Sequence, residues 1–166
     1  MTSLTPTLVA APTLTPVTLD EVKAHLRVDP SEEDPKIEVL LVAAVGYLDG
    51  WRGILGRAIM PQTWRVTVEG SGAFVLPMPD VIAATMNGET LDISTSAAGP
   101  VVASTGAGDI EFTCAMGSAQ LAVAKVAILI LIEHWFDNSD AVNGGSAAAL
   151  PMTLEALISS LRWRFL

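Results

Sequence analysis

The chain has 166 residues, with 9 Lys and Arg against 18 Asp and Glu for a formal charge of −9; 51% of it is hydrophobic and only 16% is charged. That length fits one domain or two small lobes burying roughly two-thirds of the unfolded surface, and so apolar a composition excludes intrinsic disorder over most of the chain. The acidic balance argues against a protein that grips nucleic-acid phosphate, a single cysteine, Cys114, excludes an internal disulfide or a zinc site, and the scarcity of charge points to apolar surface covered by other subunits.

Residues 1–16 are rich in Thr and Pro, with prolines at 6, 12 and 16. Proline lacks an amide donor and pushes the preceding residue to extended geometry, so this segment reads as an arm, either frayed or strapped onto a neighbouring subunit. Thr18, with Glu21 three residues on, is a capping box that starts a helix carrying Leu19, Val22 and Leu26 on one face and ending near Val28, before the break at Asp29-Pro30. A second, acidic start at Ser31-Glu32-Glu33-Asp34-Pro35 opens a long amphipathic helix over 36–55, stopped by Gly53 and Gly56. The period then changes. Thr63, Arg65, Thr67 and Glu69 alternate with Trp64, Val66 and Val68 as in a half-buried strand, and short strands follow around 73–76, 81–86, 90–94, 100–104 and 109–115. Asn87-Gly88 is a type I′ hairpin signal. Helical spacing returns at Ser118, a candidate cap, and runs to Phe136; its apolar run from Val126 to Ile132 is too short to span a bilayer and reads as a buried core or interface helix. The segment 138–149 reads as a flexible loop, and Pro151 opens a last helix over 152–162.

The order is therefore α+β: a helical bundle lobe formed by N- and C-terminal helices, with a small antiparallel β-sheet lobe inserted. The expected divisions are an arm at 1–16, helical segments at 17–60 and 117–166, and the β lobe at 61–116.

A search for chemistry finds no convincing geometry. His25 and His134 are not spaced as a metal motif, no nucleophile elbow is present, and Cys114 falls in a strand as a small buried hydrophobe. Gly106-Ala107-Gly108-Asp109 opens no helix and reads as a turn. Neither a cofactor nor a metal is expected. The alternative is a small cation- or ligand-binding enzyme using His25 with Asp29, Glu32 or Asp34. Surfaces are more informative: four tryptophans accompany a single tyrosine, and the chain ends Leu161-Arg162-Trp163-Arg164-Phe165-Leu166. Trp and Arg are enriched at interface centres. This tail either packs back on its own helical lobe or docks into a partner.

Several segments carry a resemblance. Val17-Thr18-Leu19-Asp20-Glu21-Val22-Lys23-Ala24-His25-Leu26-Arg27-Val28-Asp29, then Tyr47-Leu48-Asp49-Gly50-Trp51, Gly56-Arg57-Ala58 and Gln62-Thr63-Trp64-Arg65, follow in order. Phe74-Val75-Leu76-Pro77-Met78-Pro79, the helix ending Glu133-His134-Trp135-Phe136, and Leu150-Pro151 with Leu157 and the tail complete the series. Together they resemble the head–tail connector (adaptor) proteins of tailed phages and gene transfer agents, with only 80–115 generic. The sequence departs from that pattern at Phe136-Asp137-Asn138-Ser139, where many relatives carry a Tyr–Glu–Asn–Arg-like helix end.

The resemblance implies a non-enzymatic virion structural protein assembled in the bacterial cytoplasm. It would form a homo-oligomeric ring, usually of twelve copies, at the head–tail interface. The ring joins the portal protein to a stopper or tail-terminator protein and continues the channel for double-stranded DNA, without sequence-specific binding and without a membrane. On that reading Arg162, Trp163, Arg164, Phe165 and Leu166 contact the portal, and Trp51, Arg57, Trp64 and Trp135 serve subunit–subunit contacts. Ring contacts are head-to-tail and need two different complementary faces.

Overall fold

The structure, a computed structural model, describes residues 4–29, 31–138 and 149–163. The expected break at Pro30, most of the expected loop (139–148) and the tail residues Arg164, Phe165 and Leu166 lie outside the described residues.

Local chemistry sets the first helix. The Thr18 amide donates to Glu21 Oε2 at 2.7 Å and the Glu21 amide to Thr18 Oγ1 at 3.2 Å, so the capping box is closed on both sides. Helix α1 (Leu19–Leu26) ends at Arg27, which takes a left-handed conformation with φ 57°, two residues before the expected break. A 3-10 turn at Ser31–Glu33 leads into α2 (Asp34–Leu48), with Pro35 in its first turn as expected. The helix stops at Leu48, not at 51–55. Asp49 turns extended, and Gly50, at φ 81°, reverses the chain. The apolar spacing of Trp51, Ile54 and Leu55 mimics a continuing helix. In fact this segment folds back on the helix end, the Ile54 amide donating to the Tyr47 carbonyl at 2.9 Å.

Helix α3 (Ser118–Asp137) begins after Gly117, and Ser118 supplies no side-chain cap bond. By length and composition alone it is apolar enough to cross a bilayer. Here it packs between α2 and α4 (Met152–Leu161), with α1 also against it, burying Ala124, Ala127, Ile128, Leu131 and Ile132. The four helices share one apolar core reaching from Val17 to Leu161.

The β lobe holds two antiparallel sheets where one was expected. The first is ordered β1 (Thr7–Ala10), β2 (Gln62–Val68), β8 (Gly108–Cys114), β4 (Val81–Met86), β5 (Glu89–Thr90); the second is β3 (Gly72–Val75), β7 (Gly99–Ser104), β6 (Ile93–Ser96). The strand expected at 90–94 is divided: after Leu91 donates its amide to the Ala84 carbonyl, the chain leaves β4 and Ile93 pairs with Val102 instead. Asn87 and Gly88 have φ of 53° and 82°, the two positive values a type I′ turn needs. Along β2 the alternation is as expected. Gln62, Trp64, Val66 and Val68 face the β-lobe core, while Thr63, Arg65 and Thr67 pair outward with Thr113, Glu111 and Asp109 at 2.9, 2.6 and 2.7 Å. β1 modifies the picture of residues 1–16 as an arm: four of them are extended and hydrogen-bonded to the chain's own β2.

Candidate interaction site

Of the residues singled out by the sequence, Arg57, Arg162 and Trp163 meet where the two lobes join. Arg57 leaves the turn after Gly56 and sends its guanidinium in two directions. Nε and Nη2 donate to Asp80 Oδ2 at 2.9 and 2.6 Å, and Nη1 donates to the Leu161 carbonyl at 3.0 Å. One side chain thus ties a β-lobe turn to the C-terminal end of α4, where carbonyls lack helical partners and a cation is favoured. Asp80 sits at φ 57°, a left-handed position that Asp tolerates better than most residues. Beside this clamp, Asp49 accepts from the Ile59 amide at 2.7 Å and from Gln62 Nε2 at 2.6 Å. Burial pushes the Asp49 carboxyl above the usual aspartate range even though these bonds favour the charged form. Cys114 is fully buried, and burial with Asp80 and Asp49 nearby pushes its thiol up to about 12, which makes it an inert packing residue.

The start of the tail is seated on the same junction. The Trp163 amide donates to the Leu55 carbonyl at 2.8 Å and Arg162 Nε to the Ile54 carbonyl at 2.8 Å. The Trp163 ring lies against Gly99, where a Cβ would stand 3.2 Å from Cζ2; with φ 131° as well, glycine is required there. Trp163 Nε1 is buried without a hydrogen-bond partner among the described residues. Up to Trp163, then, the tail is engaged within its own chain.

The other named residues divide. Arg57 and Trp64 are spent internally, Trp64 within the β-lobe core. Trp51 is half-buried and lines a cleft with Trp64, and Trp135 packs edge-on against Tyr47 with ring centroids 6.0 Å apart. Tyr47 belongs to the outer face of α2; the sequence reading expected the remaining faces of the helix over 36–55 to pack the next subunit but named none of these residues as contacts. From Val39 to Leu48, α2 carries no charge, and Val39 and Val42 are 68% and 72% exposed. Ala43, Gly46 and Tyr47 are exposed on the same helix, giving a smooth apolar stripe. Asp49, Asp80 and Gly99 were also missed. An aspartate and a glycine directly after an apolar helix, and an aspartate after Leu76-Pro77-Met78-Pro79, were the available signals.

The alternative constellation is not assembled. His25 Nε2 lies 3.1 Å from Glu133, and Asp34 pairs with Lys23 at 2.6 Å. Among the described residues no three His, Cys, Asp or Glu side chains converge as a metal site.

No protein-family model and no curated protein matches the sequence. Solved structures share its fold. A chain from the virion of a native gene transfer agent (GTA) particle superposes with a TM-score of 0.66 at 20% identity, over 97% of both chains. A chain from the neck of an empty GTA particle, computed with C6 symmetry, superposes with a TM-score of 0.67 at 20% identity, over 98% of this chain and 97% of that one. The fold is shared from end to end. With it, the α+β architecture expected from the sequence is shown.

Proposed function

We propose that the chain is a structural head–tail connector subunit, built into a ring at the neck of a phage-like or gene-transfer-agent particle. The observation that carries this reading is the end-to-end likeness to a chain of a GTA neck. The six-fold symmetry named for that neck suits a ring of twelve. The exposed stripe on α2 supports it from this chain's own physics, because a contiguous apolar helix face needs a cover. A head-to-tail contact supplies one, α2 of one copy meeting a second surface of the next. Half-exposed Trp51 and Trp135 are available for such contacts, whereas Arg57 and Trp64 act indirectly by holding the subunit's shape.

Portal binding is assigned to residues 162–166, with Trp163 seated on the body just before Arg164, Phe165 and Leu166 in the sequence. The opposite face of the ring meets a stopper or tail-terminator protein. An acidic subunit suits a channel through which duplex DNA slides without sticking, since phosphates are repelled where a basic groove would hold them. The ring assembles in the bacterial cytoplasm and stays at the head–tail interface. The role is structural, and no catalytic step is assigned.

The test is co-expression with the portal protein of the same particle, followed by mass measurement and imaging. The full chain is expected as a ring on the portal. Ending the chain after Trp163 keeps the anchored part and is expected to abolish portal binding; undiminished binding rules out the tail contact. A chain that stays monomeric on assembled portal contradicts the connector role itself.

A further inference from the structure

The N-terminal strap is held mainly through its backbone. β1 touches the sheet along one edge only, pairing Thr7 with Arg65, Leu8 with Trp64 and Ala10 with Thr63, with a bulge between Leu8 and Ala10. All four strand residues are exposed. Leu8 and Val9, at the bulge, are 45% and 44% exposed, so the strand's apolar side chains are not sealed by its own chain. Clefts open on both flanks. One, of about 590 Å³, lies between Leu4-Thr5 and the β2–β3 turn. The other, of about 490 Å³, separates residues 5–8 and Pro12 from Asp49–Arg52, Gln62 and Trp64. What seats the strap is its backbone ladder together with Leu4 and Pro6, of which Leu4 packs at the β-lobe core and Pro6 is buried. The link from Ala10 to the buried Val17 contains Pro12 and Pro16, and Leu14 within it is 69% exposed.

A ladder and a small plug are transferable. An identical β2 on a second copy presents the same register, the same Trp64 and the same recess for Leu4 and Pro6. Exchanging an identical element between copies is therefore a low-cost route to assembly, since every native contact is remade and only the linker changes course. Seven residues from Ala10 to Val17 reach at most about 25 Å, against a radius of gyration of about 15 Å for a chain of this length. Within the chain the link bends at residues 13–14 and 16–17, so opening those bends is the change of course that carries the strand outward.

We infer that in the assembled ring β1 of each copy completes the sheet of the next copy, pairing with that neighbour's β2. This rests on the ring assembly proposed above. Exchange turns an edge strand, a pairing hazard when left open, into the link that closes each subunit contact, and it gives the head-to-tail interface a directional element.

The test uses the full chain with Thr7→Cys and Arg65→Cys, both exposed positions that face each other in the register. Cys114 is buried and takes no part. Rings cross-linked with a short thiol reagent or mild oxidant are expected to run, after denaturation, mostly as a ladder of covalently joined chains. Mixed rings of Thr7→Cys and Arg65→Cys single variants are expected to give joined pairs. Rings whose chains migrate as internally cross-linked monomers, with no pairs in the mixture, overturn the exchange and leave the connector role standing. A chain that forms no ring in the presence of portal overturns both.

Discussion

The two ends of the chain both return to the body, but by different physics. The N-terminal strap is held by backbone hydrogen bonds along one edge, with clefts on either side. The C-terminal segment is held by particular side chains: Arg57 on the Leu161 carbonyl, Arg162 on Ile54, and the Trp163 ring against Gly99. A backbone ladder accepts any strand of the right register, including one from another copy. A tryptophan wedged against a glycine accepts one partner in one pose. One end is therefore suited to linking copies, and the other to fixing Arg162 and Trp163 on their own body.

The sharpest way to break this comparison is to remove the clamp at the C-terminal end. Arg57→Ala strands a largely buried Asp80 and uncaps α4, and is expected to lower stability by about 3 kcal/mol; denaturant titration reads this. A loss near zero would mean that the tail base is not rigid. The next effect compares the ends directly. Trp163→Ala, at a half-buried site, is expected to cost about 2 kcal/mol. Removing residues 1–10 is expected to cost a monomer only about 1 kcal/mol, because lost hydrogen bonds are largely offset by regained chain entropy. That deletion should nevertheless weaken ring assembly by at least about tenfold. Reversal of the order, with the strap mattering more to the monomer than Trp163, would overturn the contrast.

The smallest effect concerns pH. The folded Asp49 carboxyl titrates above its unfolded value, so the native state binds the extra proton in the window between them. Stability associated with this group is full below about pH 4, the unfolded value, and declines as pH rises through the raised folded one. Denaturant titrations of the wild type and Asp49→Asn between those limits should show the wild type losing ground with rising pH. The opposite slope would show that the bonds from Ile59 and Gln62 outweigh burial.

Much of the architecture was legible because it rests on short-range rules. Thr18 with Glu21 marks a helix start, Asn87-Gly88 marks a hairpin, and the alternation about Trp64 and Val66 marks a half-buried strand, each decided by groups within a few residues. Where these rules failed, a distant group had intervened. The second helix stops at Leu48 because Asp49 is drawn to the Ile59 amide and to Gln62, while apolar spacing continued through Leu55. One expected strand became parts of two sheets because Leu91 stays with β4 and Ile93 finds Val102.

The interaction residues follow the same division. Composition and order alone determined an apolar, acidic α+β chain with a helical lobe and an inserted β lobe, and marked the tryptophans and the Arg–Trp tail as residues of consequence, to which the resemblance added Arg57. Only the tertiary structure decided their use: Arg57 and Trp64 turned inward, Trp163 seated on Gly99, and the outer face of α2 from Val39 to Tyr47 left bare. The reason is physical. Periodicity reports which face of an element avoids water, whereas whether an Arg or a Trp is consumed inside the chain depends on a partner such as Asp80 or Gly99, brought close by folding from far along the sequence.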